Sequence, residues 1–237
     1  MLIPKIIHQI WSGVEDPLPD MYSQFSETWR RDYPDWRYEL WDHERIISFM
    51  DAEFPEHKHN YDNFPYNIQR WDAIRYLILY RLGGMYVDFD YESLKNITPL
   101  IEDKTCCFAL EPEHQYWYFK KNVMFNNALM LSVPEHPFMG KIIEHVFSSK
   151  ILEYPTTPKE SCVLNTTGPW KLIELYESID PTEQEEIYLV PSEFVTPIDG
   201  FQAKTIRKKL TGETRRDWLK AAYAIHYFCG GWRENEA

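Results

Sequence analysis

The 237-residue sequence has only four cysteines, at positions 106, 107, 162 and 229, with no C-x-x-C pair among them. That scarcity argues against a zinc site or a disulfide framework and points to a reducing compartment. Long apolar runs are missing as well. The most apolar stretch, Tyr76 to Tyr80, is bracketed by Arg75 and Arg81 and falls far short of the roughly 20 residues that cross a bilayer. The opening Met1-Leu2-Ile3-Pro4-Lys5 has neither the basic region nor the small-residue cleavage site of a secretion signal. Repeats, low-complexity tracts and Gly/Ser linkers are also lacking. These absences lead us to expect a cytoplasmic protein with no integral membrane segment, and leave open peripheral association with the inner face of the plasma membrane. Positive charge is in deficit: 25 Lys and Arg against 37 Asp and Glu give a net charge of −12. A field of that sign repels phosphate backbones and excludes nucleic acid as a general partner. A nucleotide's own phosphates would need a cation or local dipoles to approach.

What is present is an ordinary globular balance, 44% hydrophobic and 26% charged, which excludes disorder. Aromatics are abundant, with nine Trp and sixteen Tyr, enough to build a core and to leave flat faces for a nucleobase or sugar ring. Lys5 to Trp11 reads as a buried strand. Asp20 is placed to cap a helix to about Arg31, closed by Tyr33-Pro34, and Trp36 to Trp41 alternates as a strand. Asp42 then caps a helix through about Ala52. This β-α-β-α opening predicts an α/β domain with a mainly parallel sheet. Phe54 to Pro65 reads as a loop, and Asn67 as the cap of a long helix, Ile68 to Leu82, ended by Gly83-Gly84. Met85 to Phe89 reads as the next strand. Later strands are expected at 106–110, 123–131, 187–190 and 222–228, and later helices at 137–149, 169–178 and 215–220.

Asp88-Phe89-Asp90 carries the most chemistry. On a strand, residues i and i+2 project to one face, so both carboxylates can converge on one point. Two carboxylates that close need a cation to stay charged together, and Mg²⁺ or Mn²⁺ suits such hard oxygens plus substrate phosphates. Open α/β sheets bind ligands at the carboxyl ends of their strands. The plain alternative is a solvated pair at a strand end. Asp72 and Arg75, three apart, share a helical face. They read either as a surface ion pair, worth little, or as a carboxylate and a planar fork that hold sugar hydroxyls.

The run Arg70-Trp71-Asp72-Ala73-Ile74-Arg75-Tyr76, followed by Gly83-Gly84-Met85-Tyr86-Val87-Asp88-Phe89-Asp90, resembles the signature of glycosyltransferase family 32, the sugar transferases with a DXD motif. That group includes the yeast initiating α-mannosyltransferase and bacterial capsular enzymes. The run is also similar to the glucosyltransferase domain of large clostridial toxins. Ile3 to Trp11 (IPKIIHQIW) matches the family's opening strand. Asn127-Ala128, His136-Pro137-Phe138 and Thr167-Gly168-Pro169 resemble later blocks, and Ala224-Ile225-His226-Tyr227 with Gly231-Trp232 resembles the C-terminal one.

The resemblance implies an α/β fold of GT-A type in a single domain, with a smaller mixed sheet toward the C-terminus. Residues 1–110 would form the nucleotide-sugar half and 111–237 the acceptor or closing half. It implies that Trp11 stacks on the base, that Asp72 and Arg75 bind the donor sugar, and that Tyr86 lies close to the nucleoside. Asp88 and Asp90 would bind the Mn²⁺ or Mg²⁺ and the diphosphate, while His226 and Trp232 would close over them, His226 as a third metal ligand. Asn127 matches the donor-binding side, and Glu111 and Asn127 are candidate nucleophiles by position alone. The implied reaction is metal-dependent, retaining transfer from a UDP- or GDP-sugar to a glycan or lipid-linked glycan. The lack of the eukaryotic N-terminal anchor and the end soon after Trp232 point to a bacterial cytosolic enzyme of capsular or lipopolysaccharide synthesis, with little room for an acceptor domain. Two other readings compete. One is phosphoryl transfer with Asp88 as nucleophile and Asp90 as acid/base, a scheme that usually follows its D-x-D with Thr or Val rather than Tyr91-Glu92. The other is a non-catalytic sugar-binding module.

Overall fold

The computed structural model describes residues 2–14, 16–209, 219–230 and 232. In chain order the first elements are β1 (Ile6–Ile10), α1 (Asp20–Asp32), β2 (Arg37–Trp41), α2 (His43–Glu53), a 3-10 turn at Pro55–His57, α3 (Lys58–Asn63) and α4 (Asn67–Leu82). There follow β3 (Gly84–Val87), β4 (Tyr91–Ser93), α5 (Thr98–Ile101), β5 (Cys106–Leu110), α6 (Glu113–Phe119) and β6 (Phe125–Ser132). The chain continues through α7 (Pro137–Val146), α8 (Ser149–Leu152), α9 (Lys159–Thr166), α10 (Pro169–Ser178) and α11 (Pro181–Gln184). Last come β7 (Ile187–Val190), α12 (Ser192–Val195), α13 (Gly200–Lys209) and β8 (Ala224–His226).

Six strands form one sheet in the order β2-β1-β3-β6-β5-β7. Neighbours run parallel except at β6, which is antiparallel to both β3 and β5. The mainly parallel α/β class expected from the opening pattern is therefore what forms. Strands from residues 1–110 and from 111–237 share this sheet. A second sheet, expected to be mixed, is a single antiparallel pair, β4 with β8.

Period-two burial divides the core between two layers. Tyr86, Phe108 and Met130 face one layer with α2, α4, α7 and α10, while Met85, Val87, Cys107, Ala109 and Leu129 face the other with Trp29, Tyr33 and Val195. Helix α4 is apolar nearly all round its middle, from Ala73 to Leu79, and is correspondingly a buried helix rather than a surface one. Buried His8 ties β2 to the end of α4. Its Nδ1 accepts from Trp41 Nε1 at 3.1 Å, so Nε2 donates to the Gly83 carbonyl at 2.9 Å. Burial pushes its pKa down to about 4, which keeps this cross-link neutral.

The joint between α4 and β3 requires glycine twice. Gly83 and Gly84 have φ of +64° and +98°, and a Cβ on Gly83 would stand 2.7 Å from Pro134 Cδ. One on Gly84 would stand 2.6 Å from the Ile6 carbonyl oxygen.

Several boundaries differ from the sequence pattern, each for a local reason. Asn67 is the first residue of α4 rather than its cap: Tyr66 is the cap, the Gln69 side chain accepts from its N–H, and Asn67 Oδ1 accepts from Arg70. Asp20 likewise opens α1 behind an extended Pro19, whereas Asp42 does cap α2 by accepting from the Arg45 N–H. The stretch Phe54 to Pro65, expected as a loop, contains the 3-10 turn and α3. The expected helix at 137–149 stops at Val146, and the last strand is cut to Ala224–His226. Residues 215–218 of the helix expected at 215–220, and Gly231 of the C-terminal block, lie outside the described residues.

Candidate active site

Asp88-Phe89-Asp90 sits in the turn between β3 and β4, not on a strand: β3 ends at Val87, and the Tyr91 N–H closes back on the Asp88 carbonyl. The premise that strand alternation aims both carboxylates at one face is thus corrected. The two side chains are held separately.

Asp88 is held from α4 and β3. The Tyr86 hydroxyl donates to its Oδ1 at 2.5 Å, and Arg75 Nη1 lies 3.2 Å from the same oxygen. Arg75 is buried, with its Nη2 3.2 Å from Asp72 Oδ1, its Nη1 donating to the Asn127 carbonyl at 2.9 Å, and its guanidinium over the Tyr86 ring. Asp72 is buried too, and accepts from Asn127 Nδ2 at 2.9 Å and from the Thr167 hydroxyl at 3.0 Å. The surface ion pair considered for Asp72 and Arg75 is therefore overturned. They form a buried relay, and breaking such a pair leaves an uncompensated charge. Burial raises the Asp72 pKa to about 6 against the opposing pull of Arg75. Burial also raises that of Asp88, with Arg75 opposing and Asp90 adding to the shift.

Asp90 is held from the far end of the chain. Its Oδ1 lies 3.3 Å from His226 Nε2, and its Oδ2 accepts from the Cys229 N–H at 2.8 Å. Burial alone would raise its pKa; His226 and the backbone N–H groups outweigh that and lower it. Burial would lower the pKa of His226, and Asp90 outweighs it in turn and raises it. The His226 ring stacks on Tyr91 at 4.4 Å, and its Nδ1 is buried without a hydrogen-bond partner.

The remaining expected residues distribute as follows. Trp11 follows β1, half-buried, with edge-on ring contacts to Tyr22 and Phe89, and donates from Nε1 to the Asp16 carbonyl at 2.9 Å. Trp232 accepts through its carbonyl from Lys159 at the start of α9. Asn127 spends its amide on Asp72 and the Tyr76 hydroxyl. Both Glu111 oxygens accept hydrogen bonds, from Asn126 at 2.9 Å and from Gln115 at 3.4 Å. Neither proposed nucleophile is presented free. Sequence reasoning missed Tyr76, Asn126 and the Cys229 N–H as supports. Tyr76 and Thr167 carried a signal only as members of the Arg70 to Tyr76 run and the Thr167-Gly168-Pro169 block.

The carboxylates of Asp88 and Asp90 are hard oxygens, and the upward push of Asp90 on Asp88 is the repulsion that a divalent cation relieves. The donor set fits Mg²⁺ or Mn²⁺. Among the described residues no cluster of three His, Cys, Asp or Glu side chains is arranged to hold a metal, so phosphate or water oxygens would complete the shell.

The family model described as glycosyltransferase sugar-binding region containing DXD motif matches residues 19–108, which include α4 and the β3–β4 turn. An uncharacterized glycosyltransferase of Acanthamoeba polyphaga mimivirus is 30% identical over 210 residues, covering 86% of this chain and 76% of that protein. The chain belongs to the DXD glycosyltransferase family. Another relative, the inositol phosphoceramide mannosyltransferase 1 of Schizosaccharomyces pombe, is 34% identical over 145 residues, 60% of this chain; the match spans 42% of that protein's length. The initiation-specific alpha-1,6-mannosyltransferase of the same yeast is 25% identical over 98% of this chain and 64% of its own. In structure, the PaToxG glycosyltransferase superposes with a TM-score of 0.58 at 15% identity, over 94% of this chain and 89% of that one. This DXD glycosyltransferase therefore has the GT-A type of α/β fold that the resemblance implied. Family membership sets aside the phosphoryl-transfer reading.

Proposed function

We propose that the protein transfers a mannosyl group from a UDP- or GDP-linked donor to a hydroxyl of a glycan or lipid-linked glycan, with retention of configuration and with Mg²⁺ or Mn²⁺. The observation that carries this is the buried relay from Asp72 through Arg75 to Asp88, with Asp90 alongside, at the carboxyl end of β3. The choice of mannose rests on the names of the fungal relatives. Synthesis of a bacterial surface polysaccharide, the setting expected from the sequence, draws no support from these fungal and viral relatives. A cytoplasmic location stays part of this proposal; among the described residues no helix is long and apolar enough to cross a membrane.

Asp88 and Asp90 would hold the cation, with His226 beside Asp90. When bound, it would offset the charge that develops on the departing diphosphate. Arg75 keeps Asp88 charged and aimed; Asp72, fixed by Asn127 and Thr167, keeps Arg75 in place and faces the sugar. Trp11 takes the base and Tyr86 packs behind the nucleoside. Residues 1–110 carry these donor contacts, whereas 111–237 supply Asn127, His226 and Trp232. The occupied oxygens of Glu111 and the engaged amide of Asn127 favour a same-face route, in which the leaving phosphate helps the acceptor lose its proton and no protein nucleophile is used. The test is hydrolysis of a nucleotide-sugar panel with and without Mn²⁺. Release of free mannose, abolished by EDTA, supports the reading; turnover indifferent to EDTA removes the metal, and turnover of another hexose alone removes mannose.

A further inference from the structure

The exposed large aromatic side chains among the described residues are concentrated in two places. Trp117 and Tyr118 are each 81% exposed and Phe119 is 40% exposed, all on α6; Phe201, 81% exposed, is on the first turn of α13. A hydrogen bond joins these segments: His114 Nε2 of α6 lies 2.6 Å from Oδ2 of Asp199, just before α13, and Asp199 Oδ1 accepts from the Gln202 N–H at 2.7 Å. Trp117 is three residues beyond His114 and Phe201 two beyond Asp199, so both lie within one helical turn of that bond along the chain. Nothing in the proposed transfer uses them.

Basic residues accompany the rings. Lys120 ends α6 in the left-handed conformation, at φ +54°, and Lys121 follows; Lys204 is exposed on α13, three residues from Phe201. Glu113 is the exposed acidic residue of α6. The pattern stands out in a chain with a net charge of −12. Amphipathic rings beside lysines suit the headgroup level of a bilayer, where Trp and Tyr settle and anionic lipids attract Lys. Screening confines the chain's remaining negative field to about 8 Å at physiological salt, so the local lysines decide the approach.

The position of the patch is as informative as its chemistry. Helix α6 starts two residues after Glu111, whose side chain is bonded to Gln115 of α6 and to Asn126; Asn126 in turn donates to the hydroxyl of Tyr91, the ring that stacks on His226. The patch thus lies on the rim next to the Asp90 side of the site. We propose that α6 and the start of α13 form a docking surface for an anionic bilayer, which brings a lipid-borne acceptor to the active site. The docking itself rests only on the exposed patch; its purpose rests on the transferase reading above.

Cosedimentation of the full chain with phosphatidylcholine vesicles, with and without phosphatidylserine, tests this directly. Binding should need phosphatidylserine and weaken at high salt. The Lys120→Gln, Lys121→Gln double variant should bind about fivefold less per lysine removed. Trp117→Ala with Tyr118→Ala, or Phe201→Ser alone, should weaken binding at least tenfold at unchanged melting temperature, because these side chains are exposed. Hydrolysis of the soluble nucleotide-sugar should be untouched in all of them, so failure of docking and failure of the transferase reading are read in separate assays. Wild-type chain that ignores both vesicle types, or variants that bind like wild type, would overturn the proposal. So would a wild-type dimer in solution that Trp117→Ala disperses, since the patch would then be a protein interface.

Discussion

Asp88 and Asp90 are two residues apart, yet they are anchored in different parts of the molecule. Asp88 leans on β3, α4, β6 and, through Asp72, the residue after α9, all packed on the central sheet. Asp90 leans on the β8 segment, through His226, the Cys229 N–H and its own carbonyl, which accepts from the Tyr227 N–H. One carboxylate is anchored on the central sheet; the other is anchored by residues more than 130 positions later. The contrast teaches that a two-residue motif need not be one mechanical unit. A change in the C-terminal segment can reach Asp90 while Asp88 stays fixed.

The largest test of that contrast is the pair Asp90→Asn and Asp88→Asn. Transfer should be abolished in the first and nearly so in the second, each by about a thousandfold or more in kcat/KM. Thermal melting should separate them: Asp88→Asn deprives buried Arg75 of a charged partner and should lower Tm more. The reverse order of Tm would break the comparison. Next, Asp72→Ala and Arg75→Ala should each lower kcat/KM at least about a hundredfold, about 2.7 kcal/mol. Calorimetry with the free nucleoside diphosphate should show little change for Asp72→Ala and a weakening for Arg75→Ala, because only Arg75 touches Asp88. Equal losses for Asp72→Ala in both assays would remove its role toward the sugar.

A smaller effect belongs to Trp11, which lies outside both anchors. Trp11→Ala should weaken donor binding by the roughly 1–3 kcal/mol of base stacking, seen as a higher KM, with little loss of Tm because the ring is only half-buried. A large Tm loss with unchanged KM would make it a packing residue. The smallest expected effect is in pH. The Asp72 pKa rises from 3.8 to about 6 on folding, so the folded chain holds the extra proton between those values. Stability from this group is full below the lower value and is lost as pH rises through about 6. Asp90 has the opposite sign: its lowered pKa gives stability above the usual carboxylate range that disappears on acidification. Denaturant melts of wild type and Asp72→Asn across pH 4 to 6 should show the variant with the flatter profile. Identical slopes would mean that Asp72 keeps an ordinary pKa.

Local chemistry made the first half of the fold legible. Alternation in Trp36 to Trp41, the cap at Asp42 and the double glycine after Leu82 each act within a few residues, and each appears where expected. The DXD motif and the Asp72–Arg75 spacing were visible for the same reason. Their burial was not, because it depends on Asn127 and Thr167 arriving from elements distant in sequence. The strand reading of Asp88 failed because β3 stops where the Asp88 N–H bonds the Ala128 carbonyl and the chain turns. No periodicity announces that turn. Helix α3 hid in a polar stretch whose anchor is a single buried tyrosine, Tyr61, so no apolar stripe marks it. Tertiary contact, not propensity, decided these places.

The glycine joint at residues 83 and 84 acts as a caliper pivot. Arg75 stands eight residues up one arm, about 12 Å along the helix axis, and Asp88 stands on the other. With Pro4, Pro134 and the Ile6 carbonyl pressed against the pivot, the opening of the arms is fixed at their base as well as by the Arg75–Asp88 pair at their tips. A tilt of about 5° there would carry the guanidinium about 1 Å over such an arm, and displacements of that size can cost about a hundredfold in rate. The gauge of the site is therefore set in part by two residues that bear no side chain.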